Sequence, residues 1–210
     1  MEEKKKGTLA IVSGFSGVGK GTVVKKMVEE YGYALSISAT TRQPRVGEEN
    51  GVSYFFITKE EFEKRIAEQD FFEYAQYVGN YYGTPKSFVM NMLDEGRDVI
   101  LEIESEGAFK VKDQYPQALL IYMLPPSMNE LKKRLVGRGT ETEEVISKRL
   151  KKAVETEMDR AEKYDFLIVN EEVDACAKEL SRMIKTRTGI SPKWTDLLAK
   201  LREEAEDLGF

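Results

Sequence analysis

The stretch Gly14-Phe15-Ser16-Gly17-Val18-Gly19-Lys20-Gly21-Thr22 lies between an apolar segment of strand length, residues 9–12, and the start of a helical pattern. Its three glycines let backbone N–H groups turn inward around an anion, and the helix N-terminus and Lys20 add positive charge. The spacing from Gly14 to Gly19 and Lys20 favours a nucleotide site over a purely structural turn. The stretch therefore predicts a cradle for the phosphates of a nucleoside triphosphate.

The cradle departs from the usual pattern at Gly21, where Ser or Thr commonly follows the lysine and ligates Mg²⁺. Thr22 stays available for a phosphate contact. Mg²⁺ gives up its water reluctantly. We therefore expect the ion to be held by ATP oxygens and water, with no direct ligand from the protein.

The composition limits the classes of function. The 210 residues, 41% of them hydrophobic, suffice for one compact domain with room for an inserted lobe. A net charge of −5 provides no broad basic surface, so no nucleic-acid partner is expected. No apolar run approaches the ~20 residues of a membrane span. With no signal peptide before the first strand, we predict a cytoplasmic protein without a membrane partner.

Cysteine and histidine are informative through their scarcity. Cys176 is the only cysteine, and its apolar helical surroundings predict a buried, inert thiol. The chain has no histidine, which excludes imidazole catalysis and His-ligated zinc. Phosphoryl transfer tolerates that absence, because it depends on positioning and positive charge rather than on a strong base.

Apolar runs of strand length alternate with helical patterns along the chain. Nearly continuous apolar strands separated by helices predict an α/β fold, with a parallel sheet covered on both faces. The runs span residues 9–13, 34–37, 99–103, 119–124 and 166–169.

Capping signals predict where the helices begin and end. A Ser or Thr followed three residues later by Glu marks a start, and a glycine marks an end. The first predicted helix runs from about Lys20 to Tyr31 and stops at Gly32. Three others begin at the pairs Thr58 and Glu61, Ser127 and Glu130, and Thr140 and Glu143. The second of these three ends just before Gly137, and the third reaches about Lys163.

Two further segments have their own character. Residues 38–96 are rich in aromatic residues and short alternating runs, which predicts a small lobe of several strands and one helix, inserted between two core strands. The C-terminal segment carries an apolar stripe at helical spacing, which predicts a helix that either docks on its own domain or contacts a second copy. The stripe consists of Trp194, Leu197, Leu198, Leu201, Ala205 and Leu208.

A second basic cluster follows the second apolar run. Arg42 and Arg45 stand three residues apart, with Pro44 restraining the turn between them. Two guanidinium groups can converge on one phosphate, since each is a planar fork of donors. By spacing alone, a phosphate site and an ordinary charged surface loop are equally good interpretations.

Several segments, taken together and in order, resemble guanylate kinase over residues 7–186. They are Ser38-Ala39-Thr40-Thr41-Arg42-Gln43-Pro44-Arg45-Val46-Gly47-Glu48, Asn50-Gly51-Val52-Ser53-Tyr54-Phe55-Phe56, Gly79-Asn80-Tyr81-Tyr82-Gly83-Thr84, Pro125-Pro126-Ser127, Gly137-Arg138-Gly139-Thr140-Glu141-Thr142-Glu143-Glu144 and Ile168-Val169-Asn170.

The resemblance implies one domain with distinct parts. A P-loop parallel-sheet core flanked by helices would carry an inserted small α+β lobe for GMP and a helical lid. The core would comprise residues 7–37, 97–126 and 164–186, the GMP lobe 38–96, the lid 127–163 and the helical tail 190–210.

The resemblance also assigns a GMP site in the lobe. Glu73 would accept hydrogen bonds from the guanine N1–H and N2–H groups, and the hydroxyls of Ser38 and Thr84 would donate to O6. The GMP phosphate would be bound by Arg42, Arg45, Tyr54 and Tyr82, with Glu48 and Gly83 also at the site. Other interpretations stay open: Thr84, which precedes Pro85, also suits a helix N-cap, and the tyrosines also suit a core.

Glu102 and Glu104 lie at the C-terminal end of a predicted strand with one residue between them, and strand alternation puts both on one face. Acids at this edge suit Mg²⁺ through water, or the guanine amino group. The resembled family usually has Asp at both places. A pair of ordinary surface acids is the alternative.

The remaining assignments concern ATP. In the resembled family, residues matching Arg134, Arg138 and Arg149 belong to a mobile lid that closes on the ATP phosphates. Asn170 and Glu171 match residues beside the adenine, although the family usually has Asp after that Asn. Residues 14–22 would cradle the phosphates.

The resemblance implies an enzyme that converts ATP and GMP to ADP and GDP, and that also phosphorylates dGMP. Lys20, Arg42, Arg45, Arg138 and Arg149 would carry the transfer, with Mg²⁺ as the cofactor. A kinase with another acceptor and a non-catalytic protein-binding module are the alternatives. A homodimer is a further prediction.

Overall fold

The computed structural model describes residues 6–77, 79–137 and 142–209. The strands are β1 (Leu9–Gly14), β2 (Ala34–Leu35), β3 (Ala39–Thr40), β4 (Phe55–Phe56), β5 (Phe71–Tyr77), β6 (Asn80–Pro85), β7 (Val99–Glu102), β8 (Leu119–Leu124) and β9 (Phe166–Val169). The helices are α1 (Lys20–Tyr31), α2 (Lys59–Ala67), α3 (Lys86–Asp94), α4 (Ser105–Gln114), α5 (Met128–Gly137), α6 (Glu143–Lys152), α7 (Met158–Ala161), α8 (Val173–Thr186) and α9 (Leu197–Asp207).

The five predicted core strands form one parallel sheet in the order β2-β7-β1-β8-β9. Every residue of β1 and of β8 is buried, so both faces of the sheet are covered, as predicted. The edge strand β2 is shorter than predicted, because it pairs only with β7. The α/β fold predicted from the sequence is confirmed.

The helix boundaries follow most of the capping signals. α1 spans residues 20–31 as predicted and ends at Gly32 in the left-handed conformation. The hydroxyls of Thr58 and Ser127 accept hydrogen bonds from the amides three residues later, at the starts of α2 and α5. Gly137 is the last residue of α5 rather than the residue after it.

The lid helix differs from its prediction at the start and in the middle. Thr142, not Thr140, caps α6, by accepting a hydrogen bond from the amide of Val145. Thr140 lies outside the described residues. The helix continues through a π-helical segment, Ala153–Glu157, into α7, which ends at Ala161.

A second sheet, in the order β4-β3-β6-β5, lies between β2 and β7 in the chain. A small aromatic core supports it: the ring of Phe62 stacks on Phe71 at 4.3 Å and on Tyr81 at 5.1 Å. The segment contains two helices rather than the one predicted. The second of them, α3, buries Val89 and Leu93 in the main core rather than in this aromatic cluster.

The tail helix α9 docks on its own domain. Leu198, Leu201 and Ala205 are buried in the main core, and the carboxylate of Glu204 accepts the amide hydrogen of Met128 at 2.8 Å. Cys176 is buried on α8, as predicted, and burial raises the pKa of its thiol to about 12. None of the helices in the described ranges is long and apolar enough to cross a membrane.

Candidate active site

The phosphate cradle, residues 14–22, joins the central strand β1 to α1, and packing fixes its shape. Gly17 and Gly19 have φ angles of 90° and 97°, which favour glycine. A Cβ on Gly17 would lie 2.5 Å from Leu135 Cδ2, and one on Gly19 would lie 2.7 Å from Asn170 Nδ2. Both glycines are therefore required by conformation and by close approach.

Lys20 begins α1 and curls back over the cradle. Its Nζ donates hydrogen bonds to the carbonyl oxygens of Gly14, at 2.7 Å, and of Phe15, at 3.3 Å. The ring of Phe15 is fully buried and meets Tyr122 edge-on at 5.7 Å. The ammonium group is thus held at the cradle by two backbone carbonyl oxygens, those of the last residue of β1 and of Phe15.

Glu102 lies opposite Gly21, the position that lacks a hydroxyl. A Cβ on Gly21 would lie 3.7 Å from both carboxylate oxygens of Glu102, which is ordinary contact distance. Burial raises the pKa of Glu102, Lys20 opposes that rise, and Glu104 adds to it. β7 ends at Glu102, so Glu104 is not a strand residue as predicted but the N-cap of α4.

Arg134 braces the cradle from α5. Its guanidinium donates to the carbonyl oxygens of Val18 at 3.2 Å, Asn170 at 2.8 Å and Glu171 at 3.1 Å. Asn170 is buried, and its Nδ2 also donates to Val18 O at 2.8 Å. Asn170 Oδ1 has no hydrogen-bond partner among the described residues. The structure therefore brings Arg134, Asn170 and Glu171 together with the cradle.

The lid helix reaches the cradle through Arg149, whose Nη1 donates to Ser16 Oγ at 2.8 Å. Arg138, the other lid arginine expected at the phosphates, lies outside the described residues.

The arginine turn of the small lobe is organised around Glu48. Its carboxylate accepts from Arg42 Nη2 at 2.9 Å and from the amide of Arg45 at 2.7 Å, and these contacts hold its pKa below the usual range. The guanidinium of Arg42 lies 5.5 Å from the ring centre of Tyr54, which meets Tyr82 edge-on at 6.2 Å. Neither tyrosine is buried, so the core interpretation of both is wrong.

Glu73 and Thr84 face each other across β5 and β6. Thr84 Oγ1 donates to Glu73 Oε1 at 2.7 Å, and Thr84 is only 1% exposed. The N-cap of α3 is Pro85, so Thr84 does not cap that helix. Burial raises the pKa of Glu73, while the bond from Thr84 and the charge of Lys110 lower it.

Two smaller members of the predicted site are placed by the same sheet. Gly83 pairs with β5 where a Cβ would lie 2.9 Å from both the carbonyl oxygen of Glu73 and the ring of Phe71, so its lack of a side chain is a packing requirement. Ser38 is half-buried, and its carbonyl oxygen accepts the amide hydrogen of Phe55 at 2.9 Å.

Glu157, a buried carboxylate at the end of the π-helical segment, was not among the residues predicted from the sequence. A charged residue in a charged helix gives no signal by itself. The signal that could have revealed it is its helical spacing from the buried Ile146, Leu150 and Ala153, which puts it on the inward face.

A glycine-rich cradle between the central parallel strand and its helix, beside a second small sheet with an arginine turn, defines a P-loop nucleotide-binding protein of the α/β class. Residues 6–187 match the family model described as Guanylate kinase. The chain belongs to the guanylate kinase family, as the resemblance predicted.

Proteins similar to this chain over most of their length carry the same description. A guanylate kinase of Caldanaerobacter subterraneus subsp. tengcongensis is 47% identical over 206 residues, which cover 98% of this chain and 100% of that protein. One of Clostridioides difficile is 48% identical over 202 residues, 95% of this chain and 98% of that protein. A crystal structure of guanylate kinase from Anaplasma phagocytophilum superposes with a TM-score of 0.64 at 29% identity, covering 88% of this chain and 87% of that one.

Proposed function

We propose that this protein transfers the γ-phosphoryl group of ATP to GMP in one in-line step that gives ADP and GDP, and that it acts in the same way on dGMP, which gives dGDP. Membership of the guanylate kinase family supports this reaction. The structural observation that carries it is the meeting of two sites at the end of β7. There Glu102 lies 3.7 Å from the Cβ position of Gly21, and Gly107, in the helix that follows, has its Cβ position 3.3 Å from Glu73 Oε2.

The lobe, residues 38–96, is proposed to bind the acceptor. Glu73 accepts the guanine N1–H and N2–H groups, and Ser38 and Thr84 donate to O6. The bond from Thr84 already holds the Glu73 carboxylate in place. Adenine presents the opposite donor and acceptor pattern, and leaving such buried groups unpaired costs about 1–3 kcal/mol for each.

The acceptor phosphate is proposed to bind at the arginine turn. Arg42 and Arg45 supply charge, and Tyr54 and Tyr82 supply hydroxyl donors. Glu48 holds the turn through both arginines. Gly83 leaves room between the strands. With GMP bound, these groups are proposed to orient the acceptor oxygen in line with the donor phosphate.

ATP is proposed to bind at residues 14–22 and under the lid, residues 127–163. The amides of the cradle and Lys20 hold the β- and γ-phosphates. Arg138 and Arg149 stabilise charge on the migrating group, and Arg134 joins the cradle to Asn170 and Glu171, which flank the adenine. No general base is needed, since the GMP phosphate is already an anionic nucleophile.

The donor set at the cradle fits a magnesium ion held through water rather than by direct protein ligands. Gly21 offers no hydroxyl, and both carboxylate oxygens of Glu102 lie 3.7 Å from its Cβ position. Glu102 is the residue proposed to hold the water of the ion. When bound with ATP, Mg²⁺ neutralises charge on the phosphates.

The test is a substrate panel. ADP formation is measured with Mg·ATP and GMP, dGMP, AMP, CMP or UMP. GMP and dGMP are expected to turn over far faster than the others. Equal rates with AMP and GMP would contradict the guanine site, and no turnover with any acceptor would favour a protein-binding module.

Two finer proposals concern the setting of the reaction. The protein is proposed to act in the cytoplasm on these small substrates, without a nucleic-acid partner. A homodimer stays a prediction, which sedimentation at several protein concentrations tests.

A further inference from the structure

Gly107 is a helical glycine that its own backbone does not require. It is the third residue of α4, and its φ angle lies outside the left-handed region that favours glycine. Alanine is the better helix former at such a position, because glycine loses more conformational freedom on folding. A glycine there therefore needs a reason outside the helix.

The reason lies in the lobe, on the neighbouring strand β5. A Cβ on Gly107 would lie 3.2 Å from Glu73 Cγ and 3.3 Å from both Cδ and Oε2 of the same side chain. These distances are shorter than the optimal separation of about 3.5–4.0 Å between carbon atoms. The three nearest described atoms all belong to Glu73, so the missing side chain leaves room for this one carboxylate.

Glu73 has little freedom to retreat from a side chain at residue 107. Its Oε1 accepts the hydroxyl hydrogen of the buried Thr84 at 2.7 Å. On its backbone side, Gly83 packs so closely that the Cβ position of that glycine lies 2.9 Å from the Glu73 carbonyl oxygen. A displacement of the carboxylate would therefore strain the bond from Thr84.

A β-bulge sets the direction of Glu73 on its strand. The register of β5 on β6 shifts, so that Phe71 pairs with Pro85 and Glu73 pairs with Thr84. The residue between them, Phe72, packs in the main core, whereas Phe71 belongs to the small aromatic core. Bulges re-aim side chains and are over-represented next to active sites.

A second residue of α4 ties the same stretch of β5 to the helix. The side-chain amide of Gln114 donates a hydrogen bond to the carbonyl oxygen of Phe72. Gln114 follows Gly107 by seven residues, which is about two helical turns, so both lie on one face of α4. That face holds the backbone before Glu73 at one end and receives the Glu73 side chain at the other.

We propose that Gly107 is a positioning residue for guanine recognition. Its missing side chain lets the Glu73 carboxylate keep the bond from Thr84 and still accept the guanine N1–H and N2–H groups. A methyl group on residue 107 would push on Oε2, the oxygen that Thr84 does not hold, and displace the carboxylate. The inference rests on the proposed function, because it takes Glu73 as the acceptor for guanine.

Gly107→Ala tests the proposal in the full-length protein. Calorimetry with GMP alone gives its Kd, and steady-state kinetics give KM for each substrate. The variant is expected to bind GMP about tenfold more weakly, as expected when a hydrogen bond to a charged group is lost. KM for ATP should stay within twofold, because the cradle is untouched. A general loss of structure would affect both substrates.

A double-variant cycle shows whether the effect passes through Glu73. In a Glu73→Ala background the added methyl group has no carboxylate to displace. Gly107→Ala should then change kcat/KM for GMP less than twofold. It should also raise Tm by about 1–3 °C in that background, since alanine favours the helix.

Two controls on the same helix separate positioning from general destabilisation. Val111→Ala empties a fully buried position and should lower Tm without changing the GMP Kd. Asp113→Ala changes an exposed residue and should alter neither quantity.

The outcomes are distinct. An unchanged GMP Kd in Gly107→Ala overturns the proposal, and so does an equal loss in Val111→Ala or a tenfold loss that persists in the Glu73→Ala background. If Gly107→Ala alone fails to fold, the double variant decides: one that folds supports the contact, and one that does not overturns the proposal. Absence of GMP binding by the wild-type protein would overturn the proposed function and this inference with it, whereas wild-type binding without a loss in the variant overturns the inference alone.

Discussion

The phosphate cradle and the arginine turn, residues 42–48, both bind anions in the proposed reaction, but they are built differently. The cradle packs between Leu135 and Asn170, and its own residue Phe15 has a fully buried ring. The arginine turn is mostly exposed, with Val46 fully so, and the contacts of Glu48 hold it together.

This difference separates a site whose shape is set by packing from one whose shape is set by charge. Packed atoms shift only at a large cost in free energy, whereas a partly exposed ion pair contributes little and can rearrange. In the proposed reaction, the donor phosphates therefore meet a fixed surface, and the acceptor phosphate meets an adaptable one.

Removing the charge of the cradle should have the largest effect. Lys20→Ala is expected to lower kcat/KM by roughly 10³, because a preorganised positive group at the migrating phosphoryl is lost. Steady-state kinetics with Mg·ATP and GMP measure it.

The matched control is Lys25→Ala, on the same helix, whose ammonium forms an exposed pair with Glu29 at 3.7 Å. It should retain wild-type activity. A loss below tenfold in Lys20→Ala would remove that lysine from the transfer.

Removing the negative charge of Glu73 in the acceptor site should have the second largest effect. Glu73→Gln is expected to lower kcat/KM for GMP by about 10- to 100-fold, since an amide nitrogen meets the guanine donors in place of a second acceptor oxygen. KM for ATP should stay within twofold. Gln76→Ala, at an exposed position of the same strand, is the control. Unchanged GMP kinetics in Glu73→Gln would exclude Glu73 from guanine recognition.

Two alanine substitutions compare the regions directly. Gly17 and Gly47 both have left-handed φ angles, 90° and 84°, but only Gly17 has Leu135 within 4 Å of its Cβ position, and Gly47 has no described atom there. Gly47→Ala should cost about 1–2 kcal/mol of stability from backbone strain alone. Gly17→Ala should cost about 1–3 kcal/mol more, because the cradle is overpacked as well. Urea denaturation measures both, and equal losses would contradict the packed cradle.

The smallest expected effect is a pH dependence of stability at Glu73. Its pKa is raised in the folded protein, mainly by burial, so the folded state binds more protons than the unfolded state between the two pKa values. The protonated Glu73 carboxyl therefore contributes to the free energy of unfolding at low pH. That contribution is lost as the pH rises through the pKa of Glu73 in the folded protein.

Glu73→Gln removes this titration. It should be slightly more stable than wild type at pH 7, with the gain shrinking toward pH 4, although it binds GMP worse. Denaturation at both pH values measures the difference, and a gain that grows as the pH falls would contradict the raised pKa.

Periodicity allowed much of the fold to be predicted. The strands at residues 119–124 and 166–169 and the helix at 20–31 match to the residue, because local apolar patterns and a glycine stop set them. The N-cap predicted for the lid helix was wrong. Thr140 and Thr142 both suit an N-cap by residue type, and only the folded chain shows that Thr142 is the cap.

The site was less predictable where contacts join distant segments. The guanidinium of Arg134 donates a hydrogen bond to the carbonyl oxygen of Val18, 116 residues earlier in the chain. The sequence around either residue contains no pattern that predicts this bond. The burial of Glu157 likewise depends on what packs against its helix. The roles proposed for Glu73 and the arginines came from resemblance to a family, since isolated charged residues carry no such information.

The hidden thiol of Cys176 has a practical consequence. The chain's only cysteine is 3% exposed, and its raised pKa leaves almost no thiolate at neutral pH. A maleimide reagent is therefore not expected to react with the folded protein. A dye coupled to Val46→Cys, at the fully exposed tip of the arginine turn, would label one known point and report in real time how that turn responds to each nucleotide.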